Sequence, residues 1–275
     1  MRRWIVTTAI TLALSPVVAG SGTTAHALAP LDPVDALKRQ LVENRGVKMS
    51  NVHTSTGEGE TVKFWEKGVA EFGKGKIVAT DITLDSDVRW NPERIITFAG
   101  RHYRKDKTLV KVKGWFLDEN KAIRPVLKAG WIEIANPVVL KAVLATTAVK
   151  RPAGVYDGTR TTLHQGTITF GELHKASLPF PFTLDDNPHG RDAKIKVAWQ
   201  LWLGEDQLVR RAVGTWSRPP RGRGESTYSY VYDTRVTGWG AKTHITPPPA
   251  DEVVTLEDLM KPDPEDTSLP SLSGE

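Results

Sequence analysis

The chain has 275 residues, 37 of them Lys or Arg and 32 Asp or Glu, and no cysteine. A formal charge of +5 spread along the whole length excludes a nucleic-acid footprint, which needs basic residues gathered on one face. Without a thiol there is no disulfide, no thiolate metal site and no residue for N-terminal lipid attachment, so the fold must rest on its apolar core.

Arg2 and Arg3 precede an apolar stretch from Trp4 to Leu14, and Pro16 and small residues then lead to Ala25-His26-Ala27. This charged, apolar, Ala-x-Ala order predicts a secretory signal peptide over residues 1–27. The rival reading, a membrane anchor, needs about 20 apolar residues. Between Ile5 and Ala19 the stretch holds four hydroxyl residues and a proline. Cleavage after Ala27 lowers the charge to +3 and leaves residues 28–260 as one domain.

Asp32 before Pro33, with Val34, Leu37 and Leu41 at spacings of three and four, predicts a capped amphipathic helix ending near Asn44. From Gly46 the period changes to two. Strands are expected over 47–55, 61–65, 69–72, 76–84, 95–98, 101–104 and 109–117. No helix long enough for a crossover separates them, so they should pair antiparallel. Asn136 and Pro137 introduce 138–146, apolar on nearly every side, which predicts a helix buried on more than one face.

Further strands are expected over 159–170, 194–203, 207–216 and 225–236. In the second of these Val197, Trp199, Leu201 and Leu203 share an apolar face and Lys196, Ala198, Gln200 and Trp202 a mostly wet one. In the last, Tyr228, Tyr230 and Tyr232 form a stripe fit either to line a groove or to pack under a helix. Two prolines and two glycines make Arg218 to Gly224 a solvated basic loop. A short closing helix is expected over 253–259, and 261–275 reads as a disordered acidic tail.

Motifs of covalent chemistry are missing. There is no Gly-x-Ser-x-Gly elbow, no HExxH and no phosphate-cradling glycine loop. The histidines after residue 27 stand apart, and Asp85 with Asp87, or Asp185 with Asp186, fit turns better than acid catalysis. No enzyme, metal or cofactor is expected. Large apolar groups abound instead, with eight tryptophans after the signal and a Leu-Pro-Phe-Pro-Phe loop at 178–182. They serve either as a filled core or as the wall of an acyl-chain cavity with that loop as its lip.

Three stretches resemble a known family. Val155-Tyr156-Asp157-Gly158-Thr159 with His164-Gln165-Gly166-Thr167-Ile168, then Val197-Ala198-Trp199-Gln200-Leu201 with Gln207-Leu208-Val209-Arg210-Arg211, and finally Val236-Thr237-Gly238-Trp239-Gly240 with Ile245-Thr246-Pro247-Pro248-Pro249 are similar to strand and turn signatures of the LolA-like lipoprotein-carrier superfamily. They look most like its actinobacterial LppX/LprG-type branch. The likeness covers roughly residues 155–254. It implies an α+β fold, a strongly curved and mostly antiparallel half-barrel sheet wrapped around a few helices, with a hydrophobic cavity. Two departures stand out: the chain lacks the anchoring Cys of many members, and Gly238 occupies a position that usually carries Asp.

The expectation is therefore a non-catalytic, monomeric carrier, secreted or held at the cell envelope, whose partner is a lipid or acyl chain. Leu37, Leu41, Trp115, Val138, Leu140, Val143, Leu144, Trp199, Leu201 and Tyr230 are its expected lining. The alternative is an exported interaction or structural module whose core is filled and which binds another exported protein.

Overall fold

A computed structural model describes residues 31–88, 92–105, 114–119, 121–123, 125–176, 188, 190–220 and 222–261. The expected signal peptide, the 178–182 loop and residues 262–275 of the expected tail lie outside the described residues.

Helix α1 (Pro33–Gln40) starts as its capping signals require. Asp32 accepts the backbone N–H groups of Val34 and Asp35 while Pro33 occupies the first turn. It ends at Leu41, because Asn44 adopts a φ of 61° and turns the chain into β1 (Arg45–Gly57). Next, β2 (Glu60–Gly73) runs unbroken through what the period-two pattern divides into two strands. The interruption at Gly68 is a close approach and not a turn: a Cβ there would strike the carbonyl oxygen of Asp81 on the neighbouring strand. β3 (Lys76–Ser86), β4 (Glu93–Phe98), β5 (Arg101–Lys105) and β6 (Trp115–Glu119) complete a first antiparallel meander.

A two-residue hairpin, β7 (Lys128–Ala129) and β8 (Ile132–Glu133), leads to α2 (Pro137–Ala145), capped by Asn136. The second meander comprises β9 (Thr147–Tyr156), β10 (Thr159–Thr169), β11 (Lys196–Gly204), β12 (Val209–Arg218) and β13 (Tyr228–Lys242), with α3 (Phe170–Ala176) after β10. Sequence patterning misses β9, whose Lys150-Arg151-Pro152 breaks the alternation. Charge and proline are tolerated there because β9 is an edge strand with no buried residue. The expected closing helix is shorter, α4 (Leu256–Met260), because Val253 and Val254 form β14, parallel to β6.

The strand order is β14-β6-β5-β4-β3-β2-β1-β13-β12-β11-β10-β9, an open, curved sheet not closed into a barrel. This is the α+β architecture the resemblance implies. Strands β1 and β13, nearly two hundred residues apart, meet at the centre, with Met49 opposite Val236, Asn51 opposite Thr234 and His53 opposite Tyr232. β13 also carries Gly238 at φ 66°, its N–H donated to Asp157 Oδ2 at 3.1 Å. Gly238 lies where the β1–β13 register shifts, and glycine suits the left-handed backbone there.

One face of the sheet packs on α1, α2, α3 and the β7–β8 hairpin. Phe72, Leu127, Ile132, Leu140, Leu173, Trp199 and Leu201 are fully buried there. On the opposite face a smaller cluster, Ala79, Ile96, Tyr103 and Trp115, is covered by Ile245 and Val253 from the segment after β13. Trp202, expected on a wet face, is buried because Arg211 lies over its ring at 4.7 Å and Tyr156 meets its edge.

Candidate functional site

The helix-bearing face is not covered evenly. Near the β1–β2 turn it opens into a cleft of about 330 Å³ lined by Asn51, His53, Phe64, Trp65, Glu66, Leu84, Asp85, Lys128 and Tyr232. Register builds it. Leu84, Glu66, Asn51 and Thr234 form one row across β3, β2, β1 and β13, and Phe64, His53 and Tyr232 form the next.

Aromatic rings make a continuous band from this cleft into the core. His53 stacks on Tyr232 at 4.1 Å with the planes 6° apart, and lies 5.3 Å from Phe64 and 6.0 Å from Tyr230. Tyr230 stacks on Trp216 at 4.1 Å, Trp216 meets Phe170 at 5.0 Å, and Phe170 meets Trp131 at 6.0 Å. The polar side of the cleft is pinned: Asn51 Nδ2 donates to Glu66 Oε2 at 3.2 Å, and the buried Thr234 hydroxyl shares its one proton between Asn51 Oδ1 and the Lys128 carbonyl. That last contact ties the β7–β8 hairpin to the two central strands. Among the described residues, His53 Nε2 and Trp216 Nε1 are buried without a hydrogen-bond partner.

Burial governs the titration of these groups. It holds His53 below the ordinary histidine range, opposed by nearby Glu66 and reinforced by Lys128. Burial likewise pushes the Tyr232 hydroxyl up to about 12 and raises the Glu133 carboxyl, while it lowers His164 on β10. Both imidazoles are thus neutral in the folded chain at pH 7, whereas the unfolded chain takes up protons near the ordinary value of about 6.5. Their contribution to stability is complete above that value and is lost as pH falls through it toward the lower folded-state values. Glu133 acts in the opposite sense above the ordinary carboxylate range. We expect the thermal midpoint to fall between neutral pH and mild acid, and the His53→Gln/His164→Gln double variant to flatten that decline. An unchanged slope in the double variant, read by circular dichroism melts across pH, would refute the assignment.

Of the residues expected from sequence to line an interior, Leu37, Leu41, Leu140, Val143, Trp199 and Leu201 meet in the main core, with Leu144 and Tyr230 half-buried against it. Trp115 lies in the cluster on the other face, between Arg94 and Lys105, and Val138 is 60% exposed. None of the ten lines the cleft, although Tyr230 adjoins it through His53. Sequence reasoning missed His53, Phe64, Leu84 and Lys128. The tyrosine stripe was the signal available, since Tyr232 is part of the lining. Among the described residues no three His, Asp or Glu side chains gather as metal ligands, and no helix is long and apolar enough to cross a membrane.

The fold and the cleft together define a curved-sheet protein with an aromatic-lined site on its helix-bearing face. No family model and no curated protein matches the sequence. Among solved structures, the chain is similar to LprF from Mycobacterium bovis, at 11% identity and a TM-score of 0.40, over 78% of this chain and 95% of that one. It is similar to the MucA/MucB complex of Pseudomonas aeruginosa at 11% identity and a TM-score of 0.30, over 77% and 59%. A LolA superfamily protein from Nitrosomonas europaea matches at 8% identity and a TM-score of 0.25, over 79% and 96%.

Proposed function

We propose that this chain is an exported, non-catalytic carrier that holds a hydrophobic ligand, a lipid or single acyl chain, in the aromatic cleft. The observation that carries this reading is the stacked band from Phe64 through His53 and Tyr230 to Trp216, open at the cleft and continuous with the core. A volume of about 330 Å³ falls within the roughly 300–1,000 Å³ of small-ligand sites. Burial of apolar surface at about 25 cal/mol per Å² supplies the attraction, and Asn51, Glu66 and Lys128 at the cleft suit the polar end of an amphiphile. The orphaned Nε atoms of His53 and Trp216 offer partners to a ligand hydroxyl or carbonyl.

The order of residues 1–27 supports an extracytoplasmic place, and the lack of cysteine argues against a lipid anchor. The sequence-derived residues Leu37, Leu41, Leu140, Val143, Leu144, Trp199 and Leu201 pack in the main core, so the ligand is assigned to the cleft residues and not to them.

Mass spectrometry of an organic extract of the purified protein tests the reading, with titration of a fluorescent fatty acid alongside. A co-purifying amphiphile and saturable binding are expected. A clean extract with no fatty-acid binding would remove the carrier and leave an exported interaction module with a filled core.

A further inference from the structure

The sheet face away from the helices carries an apolar patch that neither core uses. Strand β2 turns Lys63, Trp65 and Lys67 to that side, and all three are exposed. Trp65 is 40% exposed and stands directly across from Val52 on β1. On β13, Asp233 faces Val52, and Val231 is one diagonal step further. Val52 and Val231 are also exposed, at 36% and 39%. Three large apolar side chains therefore stand together on the three central strands, within the reach of cross-strand neighbours.

Cations border them. Lys63 and Lys67 flank Trp65 on its own strand, and Arg235 faces Lys67 across Ser50. Asp233 is neutralised by Arg211, which meets it twice, at 2.8 and 2.6 Å. Two carboxylates remain beside this patch: Asp85, opposite Trp65, whose Oδ1 accepts the Ser86 N–H, and Asp87, which accepts the Lys63 backbone N–H. A tryptophan between two lysines is the arrangement that settles at a membrane interface, with the indole at headgroup depth and the lysine stems lying along apolar surface while their ammonium groups reach phosphate.

We propose that this face docks on an anionic lipid bilayer, with Trp65, Val52 and Val231 entering the interface and Lys63, Lys67 and Arg235 meeting the lipid phosphates. The charge complementarity selects an anionic over a neutral surface. Trp65 and Asp85 also border the cleft, whereas Lys63, Lys67, Arg235, Val52 and Val231 do not, so the docking is tested at those residues and with no cleft ligand.

The test is co-sedimentation with vesicles of phosphatidylcholine alone and of equal parts phosphatidylcholine and phosphatidylglycerol. The protein is expected to partition onto the mixed vesicles and to be released as salt is raised. Each cation near an anionic surface contributes roughly fivefold, so Lys63→Gln with Lys67→Gln should weaken partition by about 25-fold. Val52→Ser with Val231→Ser, both outside the cleft lining, should weaken it separately, and the exposure of these four side chains keeps the variants folded. Equal partition onto both vesicle types, binding that persists at high salt, or variants that bind as wild type does would each overturn the proposal. A protein partner on this face would give the first of those results.

Discussion

Trp199→Ala is expected to lower the unfolding free energy by about 3–5 kcal/mol, the range for removing a large aromatic group from a packed core. Trp199 is 1% exposed on β11, directly opposite Gly166, whose missing side chain leaves room for the indole. Its Nε1 donates to Thr146 Oγ1 at 3.0 Å, and that hydroxyl donates onward to the Val143 carbonyl at 2.8 Å. One side chain thus joins the second meander to the C-terminal cap of α2. Trp199→Phe keeps most of the volume and loses the tie, for a cost of about 1 kcal/mol. Urea denaturation followed by circular dichroism separates the two, and a loss below about 1 kcal/mol in the alanine variant would mean the joint is loosely packed.

Tyr232→Ala should weaken fatty-acid binding at least tenfold, about 1.4 kcal/mol. The variant removes the ring that stacks on His53 and with it one wall of the cleft. An offset stack contributes roughly 0.5–1.5 kcal/mol beyond the area it buries. Tyr232→Phe is expected to bind as wild type does. The Tyr232 hydroxyl, pushed up to about 12, stays protonated at neutral pH, and the proposal assigns binding to the ring. Fluorescence titration of both variants decides the matter. Unchanged affinity in the alanine variant, with the fold intact, would move the ligand out of this cleft.

Much of the framework was legible because it is local. Asp32 and Asn136 announce their helices through side chains that cap backbone N–H groups two and three residues on. The alternation of Val197, Trp199, Leu201 and Leu203 displays the inner face of β11 directly. Other features were hidden by neighbours distant in sequence. Helix α3 follows β10 without a break, and at seven residues it carries little periodicity of its own. Trp202 counts as exposed until Arg211, held by Asp233 and Tyr156, closes over it. The cleft depends most of all on long-range register: His53 is one ring in a strand of polar residues, and only the pairing of β1 with β13 sets it against Tyr232.

The central position of that β1–β13 pairing also has a bearing on how the chain matures. Strand β1 is made early, yet its partner arrives only when residues 228–242 have been synthesised, so half of its backbone donors wait for a distant segment. Such far-flung closure carries a large loop entropy and makes for slow folding. Until then the first meander presents a raw edge to its surroundings. Delay of this kind leaves the nascent chain open at its centre until its last sixth has been made.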